Sequence, residues 1–390
     1  MQLQIVQLQI NRNSMNMTSP TIDVSHLSKI PPHGWILRVS ASDLRFWGQA
    51  CLEQLAMSAD DARLIAEHLV QTSLWGIDSH GIARLPHYLG RISGGSISAK
   101  PQIQVLSTGP CTARVDGGHG HGIVICKRAM DEAISLALTN GIGAVGVENS
   151  SHCGAIGLYG RQATRKGLVA FALTHSDAFV APYGGSSKFL GTNPICLAVP
   201  TEDPERPVCL DMATSAVPWN RVMNARRENK PLEPGWALDA QGQPTTDPHA
   251  VACLLPLGDY KGYGLAFLID LFCGPLNGMP FGLHIPAMYG DNGEHRRLGS
   301  FMMAINPKMF GGGEMLAHVA TTMAKEARTQ PLAGDADQVQ VPGDPEYHTQ
   351  EERSRDGIPI EPGLLKEMQA WSQTLGVAIP FAPHVNYVSA

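Results

Sequence analysis

The chain has 390 residues, 43% of them hydrophobic and 16% charged, with a formal net charge of −6 at pH 7. That length allows two or three domains around a large core, and the absence of a basic block leaves no electrostatic footprint for nucleic acid. No apolar run reaches the roughly 18 residues needed to cross a bilayer.

Residues 1–37 differ from the rest. Gln alternates with apolar residues in MQLQIVQLQI and a polar stretch follows, without the basic start and unbroken apolar centre of a secretory signal. This segment reads as a disordered N-terminal extension, with Met15 and Met17 as alternative starts. Helical signals begin at Ser40–Asp43, where Leu44, Trp47, Cys51 and Leu55 share one helical face. Ser58 with Asp61 makes a capping-box-like start, and Ala62, Ile65, Leu69 and Leu74 continue the apolar stripe. The second helix runs into a segment crowded with Asp78, Ser79, His80, Arg84, His87, Tyr88 and Arg91. At a spacing of four, Arg84 and Tyr88 fall on one helical face, with His80 a turn earlier. A His, an Arg and a Tyr on one stripe can present a proton-transfer group beside a carboxylate clamp.

From Thr112 strand signals alternate with helices: a strand at TARVDGG, a helix closed by Asn140-Gly141, a buried strand over 142–147, a helix over about 155–166 and a strand over 168–174. CLAVP and VCLDM are further strands, and residues 223–250 are loop-like. An apolar helix follows in DYKGYGLAFLIDLF, then a strand at SFMMAINPKMF, a helix over 315–329, a polar loop over 342–355 and a terminal helix near 362–375. The chain therefore divides into the extension (1–37), a first helical part (38–111), an α/β domain (112–257) and a second helical part with the C-terminal segment (258–390).

Gly141-Ile-Gly143-Ala-Val-Gly146 matches G-x-G-x-x-G but follows a helix and is itself a strand. A dinucleotide fingerprint must leave a strand and open a helix, so a Rossmann fold is not expected. No Walker loop, HExxH or GxSxG occurs. His119-Gly-His121 lacks acidic or Cys partners at ligand spacing, and no metal is expected. The eight cysteines are at least thirteen residues apart and form no CxxC. Most sit inside apolar runs, the pattern of small core residues in a reducing compartment, here the cytoplasm. His152, flanked by Ser150, Ser151, Cys153 and Gly154, could take a hydroxyl proton near neutral pH. Lys261, just ahead of a helix, suits phosphate or ribose oxygens.

Taken in order, DSHGIARLPHY, SSHCGAIGLYG, APYGG, LGTNPICLAVP, LDMATS and YKGYGLAFLID resemble the malate/L-lactate dehydrogenase family of non-Rossmann nicotinamide-dependent oxidoreductases. The resemblance spans about 39–381. WALDAQGQPTTDPHAVACLLP, GMPFG and LGSFMMAINPKMF are most similar to its ureidoglycolate-oxidising branch. The resemblance implies an α/β (α+β-like) fold with a central, largely antiparallel sheet and a helical domain built from both chain ends. It also implies a homodimer or higher homo-oligomer, with no membrane or nucleic-acid partner.

The implied activity is NAD(P)-dependent oxidation of a small 2-hydroxy acid, (S)-ureidoglycolate to oxalurate in allantoin breakdown, with NAD favoured. Malate, L-lactate or sulfolactate oxidation, or reduction of cyclic imino or diketo acids, are the alternatives. By motif, His152 matches the proton acceptor, with His80 and Ser79 beside it. Arg84 and Tyr88 match the substrate side. Ser176, Asp211, Met212, Ala213 and Lys261 match cofactor contacts, as do Gly343, Asp344 and Pro345 on a late loop. Two departures stand out: Pro218 and Asn220 replace a small residue and Gly after the cofactor strand, and Ile123 follows Gly122 where many members carry Gln.

Overall fold

The computed structural model describes residues 35–379 and 388–389. Strand β1 is Trp35–Val39, so the extension expected through residue 37 stops short of that boundary, and residues 1–34 lie outside the described residues. Ser40 caps α1 (Ala41–Gln54) by accepting from the Asp43 N–H, and Ser58 caps α2 (Ala59–Leu74) by accepting from the Asp61 N–H. Each cap satisfies an orphan donor and contributes about 1 kcal/mol. The expected stripe residues Leu44, Trp47, Cys51, Ala62, Ile65 and Leu69 are all fully buried.

The Asp78–Arg91 segment is not one helix. Two 3-10 turns, Asp78–His80 and Ile82–Arg84, precede α3 (Leu85–Ser93). The break lies at Gly81, where a Cβ would meet the Ser73 hydroxyl at 2.1 Å.

The seven-stranded central sheet comprises β2 (Gln104–Gly109), β3 (Thr112–Asp116), β4 (Ile142–Ser150), β5 (Val169–Thr174), β6 (Ile195–Val199), β7 (Val208–Met212) and β10 (Leu298–Ile305). Its order is β2-β3-β4-β10-β5-β6-β7, and only β3 and β4 run parallel. They are joined by α4 (Gly122–Asn140), which ends on Gly141 at φ 90°. Gly143 and Gly146 lie within β4, and a Cβ at Gly143 would sit 2.1 Å from the Ala133 carbonyl oxygen. The sheet is therefore largely antiparallel and the glycine motif opens no helix. Helices α4 and α5 (Gly157–Thr164) share one apolar core with inward residues of β3–β7 and β10.

Strand β10, expected in the second helical part, instead lies between β4 and β5 and pairs with both. Two other expectations change. Residues 223–250, read as loop, begin inside α6 (Trp219–Glu228), which packs on a small hairpin of β8 (Ala237–Leu238) and β9 (Cys253–Leu254). The polar stretch 342–355 is largely α9 (Asp344–Asp356), which follows α7 (Tyr260–Cys273) and α8 (Leu316–Arg328). Only Asp344 and Tyr347 of α9 are buried; polar groups dock it. Gln350 accepts from Trp75 Nε1 at 2.7 Å and from Gln71 Nε2 at 2.9 Å, and Arg353 pairs with Asp78 at 2.6 Å.

Both ends of the described chain return to α1 and α2. Strand β1 pairs with β11 (Ile358–Ile360) and β12 (Val388–Ser389). On α10 (Pro362–Leu375), Met368 joins the α1–α2 core, and Ser372 Oγ accepts from Trp47 Nε1 at 2.8 Å. A buried indole N–H needs such an acceptor.

Candidate active site

A cleft of about 260 Å³ opens where the helical part meets the end of the sheet. That volume is slightly below the range for small-molecule sites, about 300–1,000 Å³. Its walls bring together residues far apart in sequence: Ser79, His80 and Arg84 from the 3-10 turns, His152 from the loop after β4, Ser176 after β5, and Asp211 and Ala213 at the end of β7. Met288, Tyr289 and Glu346 complete the part relevant to binding.

The His152 and His80 rings lie nearly parallel, 5.4 Å apart. Burial pulls His80 down to about 3, with the Arg84 charge adding to it. Burial also holds His152 well below its ordinary value, helped by the neighbouring His80 ring and by the positive charges of Arg84 and Arg296. Both imidazoles are thus neutral at pH 7, the state a proton acceptor requires.

Partners differ between the two. Ser79 Oγ lies 2.8 Å from His80 Nδ1, and a hydroxyl rotates to suit either tautomer. His152 Nδ1 meets Tyr88 Oη at 2.6 Å and the Gly154 N–H at 3.2 Å. Tyr88 is 1% exposed and does not line the cleft. Its hydroxyl, placed beforehand on the substrate side, instead lies behind His152, with its ring edge-on to His121 at 4.5 Å. Burial holds the phenol above its ordinary range, so it keeps its proton. The backbone N–H can only donate to Nδ1, whereas the Tyr88 oxygen can also accept. Tyr88 therefore permits the form with Nδ1 protonated and the lone pair on Nε2.

Arg84 is held at two points. Its Nε donates to the Ser79 carbonyl at 2.5 Å and one terminal nitrogen donates to Tyr289 Oη at 2.8 Å. The rest of the guanidinium fork remains available for a carboxylate.

On the opposite wall Asp211 Oδ2 accepts from the Gly157 N–H at 2.7 Å. Burial raises its pKa to about 6, opposed by that hydrogen bond and by Arg161. Ser176 Oγ accepts from the Thr192 N–H at 3.3 Å. Phe179 and Trp219 add an aromatic wall, their ring centroids 5.2 Å apart. An anionic acceptor, a hydroxyl and an aromatic apolar wall match the ribose and ring of a nicotinamide nucleotide, so the residues present fit that group.

Other expected cofactor residues do not line the cleft: Met212, Lys261, Gly343, Asp344 and Pro345. Lys261 is exposed at the start of α7. Asp344 is engaged by Arg328 through two hydrogen bonds of 2.7 and 2.8 Å, and Glu346, two residues on in the first turn of α9, is the residue of this segment that lines the cleft. His119 stacks on His295 at 3.9 Å, and among the described residues no cluster of three or more His, Cys, Asp or Glu could hold a metal.

Several contributors carried no local sequence signal. Asp177 pairs with Arg296 at 2.6 Å in a buried setting and accepts from the Met288 N–H at 3.0 Å. Arg91, also buried, donates to the carbonyls of Ala287, Met288 and Asp291. Together these hold the segment bearing Tyr289 over α3. Charged residues on apolar faces were the available clue, but partners over a hundred positions away were not readable.

A family model for malate/L-lactate dehydrogenase matches residues 39–369. Ureidoglycolate dehydrogenase (NAD(+)) of Escherichia coli O157:H7 is 37% identical over 325 residues, covering 83% of this chain and 93% of that protein. Malate dehydrogenase of Pyrococcus abyssi is 34% identical over 351 residues, covering 87% and 96%. The structure of sulfolactate dehydrogenase from Methanocaldococcus jannaschii superposes with a TM-score of 0.82 at 31% identity, covering 88% of this chain and 98% of that one.

Proposed function

Because the chain belongs to the malate/L-lactate dehydrogenase family, an oxidoreductase family acting on CH–OH groups with a nicotinamide cofactor, we propose that its substrate is a 2-hydroxy acid with one carboxylate and an uncharged tail. The reading is (S)-ureidoglycolate oxidised to oxalurate with NAD, in the use of purine nitrogen through allantoin. One observation carries it: among the described residues, Arg84 is the only Lys or Arg lining the cleft. A single guanidinium engages one carboxylate through two parallel hydrogen bonds. The second anion of malate or sulfolactate would face Ser79, neutral His80 and Tyr289, and an unpaired charge taken out of water is costly. A ureido tail brings only N–H donors and a carbonyl, which hydroxyl and imidazole groups can match.

In this mechanism Arg84 holds the carboxylate and fixes the carbon that carries the hydroxyl. His152 takes the hydroxyl proton at Nε2 from the tautomer whose Nδ1–H Tyr88 accepts, which gives up the Gly154 N–H bond to Nδ1. His80, steadied by Ser79, lies alongside as a neutral ring and a second acceptor for that proton. A bound nicotinamide supplies the hydride acceptor. Asp211, Ala213 and Ser176 position the nucleotide, with Met212, Lys261 and the Gly343–Pro345 segment supporting it from outside the cleft wall. NAD is favoured over NADP by the similarity to ureidoglycolate dehydrogenase (NAD(+)).

The apolar strip on α7 and just beyond it supports a homodimer or higher homo-oligomer. Leu268, Leu271, Phe272 and Leu276 are 41–61% exposed, an unusually apolar patch for a surface meeting water. Eight free thiols suit a reducing cytoplasm.

The test is steady-state turnover with ureidoglycolate, malate, L-lactate, sulfolactate and a cyclic imino acid, each with NAD and NADP. The reading expects the highest kcat/KM with ureidoglycolate and NAD. A tenfold preference for malate or sulfolactate overturns it.

A further inference from the structure

Arg161 has no part in the reading above, yet it is a fully enclosed charged side chain near the cleft. It lies on the inner face of α5 and is 3% exposed. Its guanidinium packs 4.0 Å from the Trp75 ring and 5.5 Å from the Tyr347 ring. Trp75 caps α2 and Tyr347 belongs to α9, so the cation joins three elements. Its Nε and Nη2 are buried without a hydrogen-bond partner. A buried cation with unmet donors is expensive to keep, even with aromatic faces against it.

The position of the charge gives the reason. Arg161 Nη1 and Asp211 Oδ2 both lie 2.9 Å from the point above Gly157 where a Cβ would stand. Glu346, on the first turn of α9, lines the same cleft as Asp211. Two acids facing one cleft repel each other, and the guanidinium beside them is the counter-charge. Consistent with this, Glu346 pushes the Asp211 carboxyl up and Arg161 pulls it down. The other titratable groups facing Asp211 are Cys153, Tyr159 on α5 and Cys196 on β6; burial raises the Tyr159 phenol, hydrogen bonding with Cys209 and burial raise the Cys196 thiol, and the Cys126 hydrogen bond lowers the Cys153 thiol.

We propose that Arg161 is a cofactor-positioning residue: clamped between Trp75 and Tyr347, it is the buried counter-charge that keeps the nearby Asp211 carboxylate, itself oriented by the Gly157 N–H, ready to accept from the nucleotide. This rests on the reading of Asp211 as a cofactor contact. Ionised, the carboxylate offers both oxygens as strong acceptors to ribose hydroxyls; protonated, one oxygen becomes a donor and the charge that strengthens the bonds is lost. Arg161 keeps it ionised at neutral pH, although burial and Glu346 both oppose ionisation.

The experiment is calorimetric titration of NAD into the protein between about pH 5.5 and 9, for wild type, R161M, R161K and D211N, with kcat and the KM values measured in parallel. Thermal melts confirm folding, and R161K retains the charge where R161M retains only the bulk. In wild type NAD binding weakens as the pH falls through about 6. R161M moves this limb upward, so that Kd at pH 7 rises about threefold or more and converges with wild type near pH 9. R161K stays close to wild type, and kcat at saturating NAD changes little in both. If D211N weakens NAD binding but the R161M profile overlies the wild-type profile, the inference about Arg161 fails. If D211N leaves NAD binding unchanged at every pH, the cofactor reading of Asp211 fails first. An equal loss in R161M and R161K at all pH values makes the role one of packing alone, which also overturns the proposal.

Discussion

Replacing Tyr88 by Phe removes one oxygen atom from a buried ring and tests how His152 is prepared for proton transfer. In the native site Nδ1 of His152 faces the Tyr88 hydroxyl at 2.6 Å and the Gly154 N–H at 3.2 Å. Without the hydroxyl only the N–H remains, and it favours the form with the lone pair on Nδ1 and the proton on Nε2. Reaching the other form then leaves an Nδ1–H buried without an acceptor, at a cost of about 1–3 kcal/mol, and loses a hydrogen bond of about 1 kcal/mol. The combined barrier of roughly 2–4 kcal/mol corresponds to a fall in kcat of about 30- to 1,000-fold, at 1.4 kcal/mol per tenfold. The ring still packs on His121, so KM for NAD is expected to hold and stability to drop by about 1 kcal/mol. The assay is reduced-nicotinamide absorbance at saturating substrates, with a thermal melt alongside. A Tyr88→Phe enzyme within threefold of wild-type kcat would refute the assignment of that hydroxyl to the His152 tautomer.

Arg84→Lys keeps a positive charge but loses the fork and its anchor on the Ser79 carbonyl. Loss of one charge-assisted bond of about 1.5–3 kcal/mol should lower kcat/KM for the hydroxy acid by about 10- to 100-fold, read from initial rates, with NAD affinity unchanged. The buried histidines His68 and His121 are drawn down to about 3 by desolvation, so the folded state refuses protons that the unfolded chain accepts. Their contribution is present above about pH 6.5 and is lost as the pH falls toward 3, at up to about 2.7 kcal/mol per pH unit for the pair. Denaturant melts across that range should show the slope, and H121N should reduce it. Leu268→Glu on the exposed face of α7 should shift the oligomer toward monomer in sedimentation velocity, while leaving the far-UV circular dichroism of the fold intact.

Local patterns made the start of the fold readable. Ser40 and Ser58, each followed three residues later by Asp, announced α1 and α2, and their stripes are buried as expected. Strands β3 to β7 showed through alternation and through the turns between them. What failed was what depends on distant partners. β10 looks like any strand, and only pairing with residues more than a hundred positions away puts it at the centre of the sheet. α9 has no apolar stripe because Gln350 and Arg353 dock it through polar bonds, so its composition resembled a loop. The site followed the same division. His80, Arg84 and His152 converge as their motifs implied, because each sits in a short, chemically distinctive segment. The setting of Tyr88 behind His152, the Asp177–Arg296 pair and the charge of Arg161 beneath Asp211 depend on three-dimensional proximity, for which no local spacing provides a signal.

The account stands most directly on a crystal structure of the protein with NAD and oxalurate, an oxidised pair that cannot turn over. It predicts the oxalurate carboxylate on the Arg84 guanidinium, the keto oxygen within hydrogen-bonding distance of an imidazole of His152 or His80, and the ureido end against neutral groups near Ser79 and Tyr289. An oxalurate molecule bound away from Arg84, or a ureido end pressed against a second cationic side chain, would contradict it.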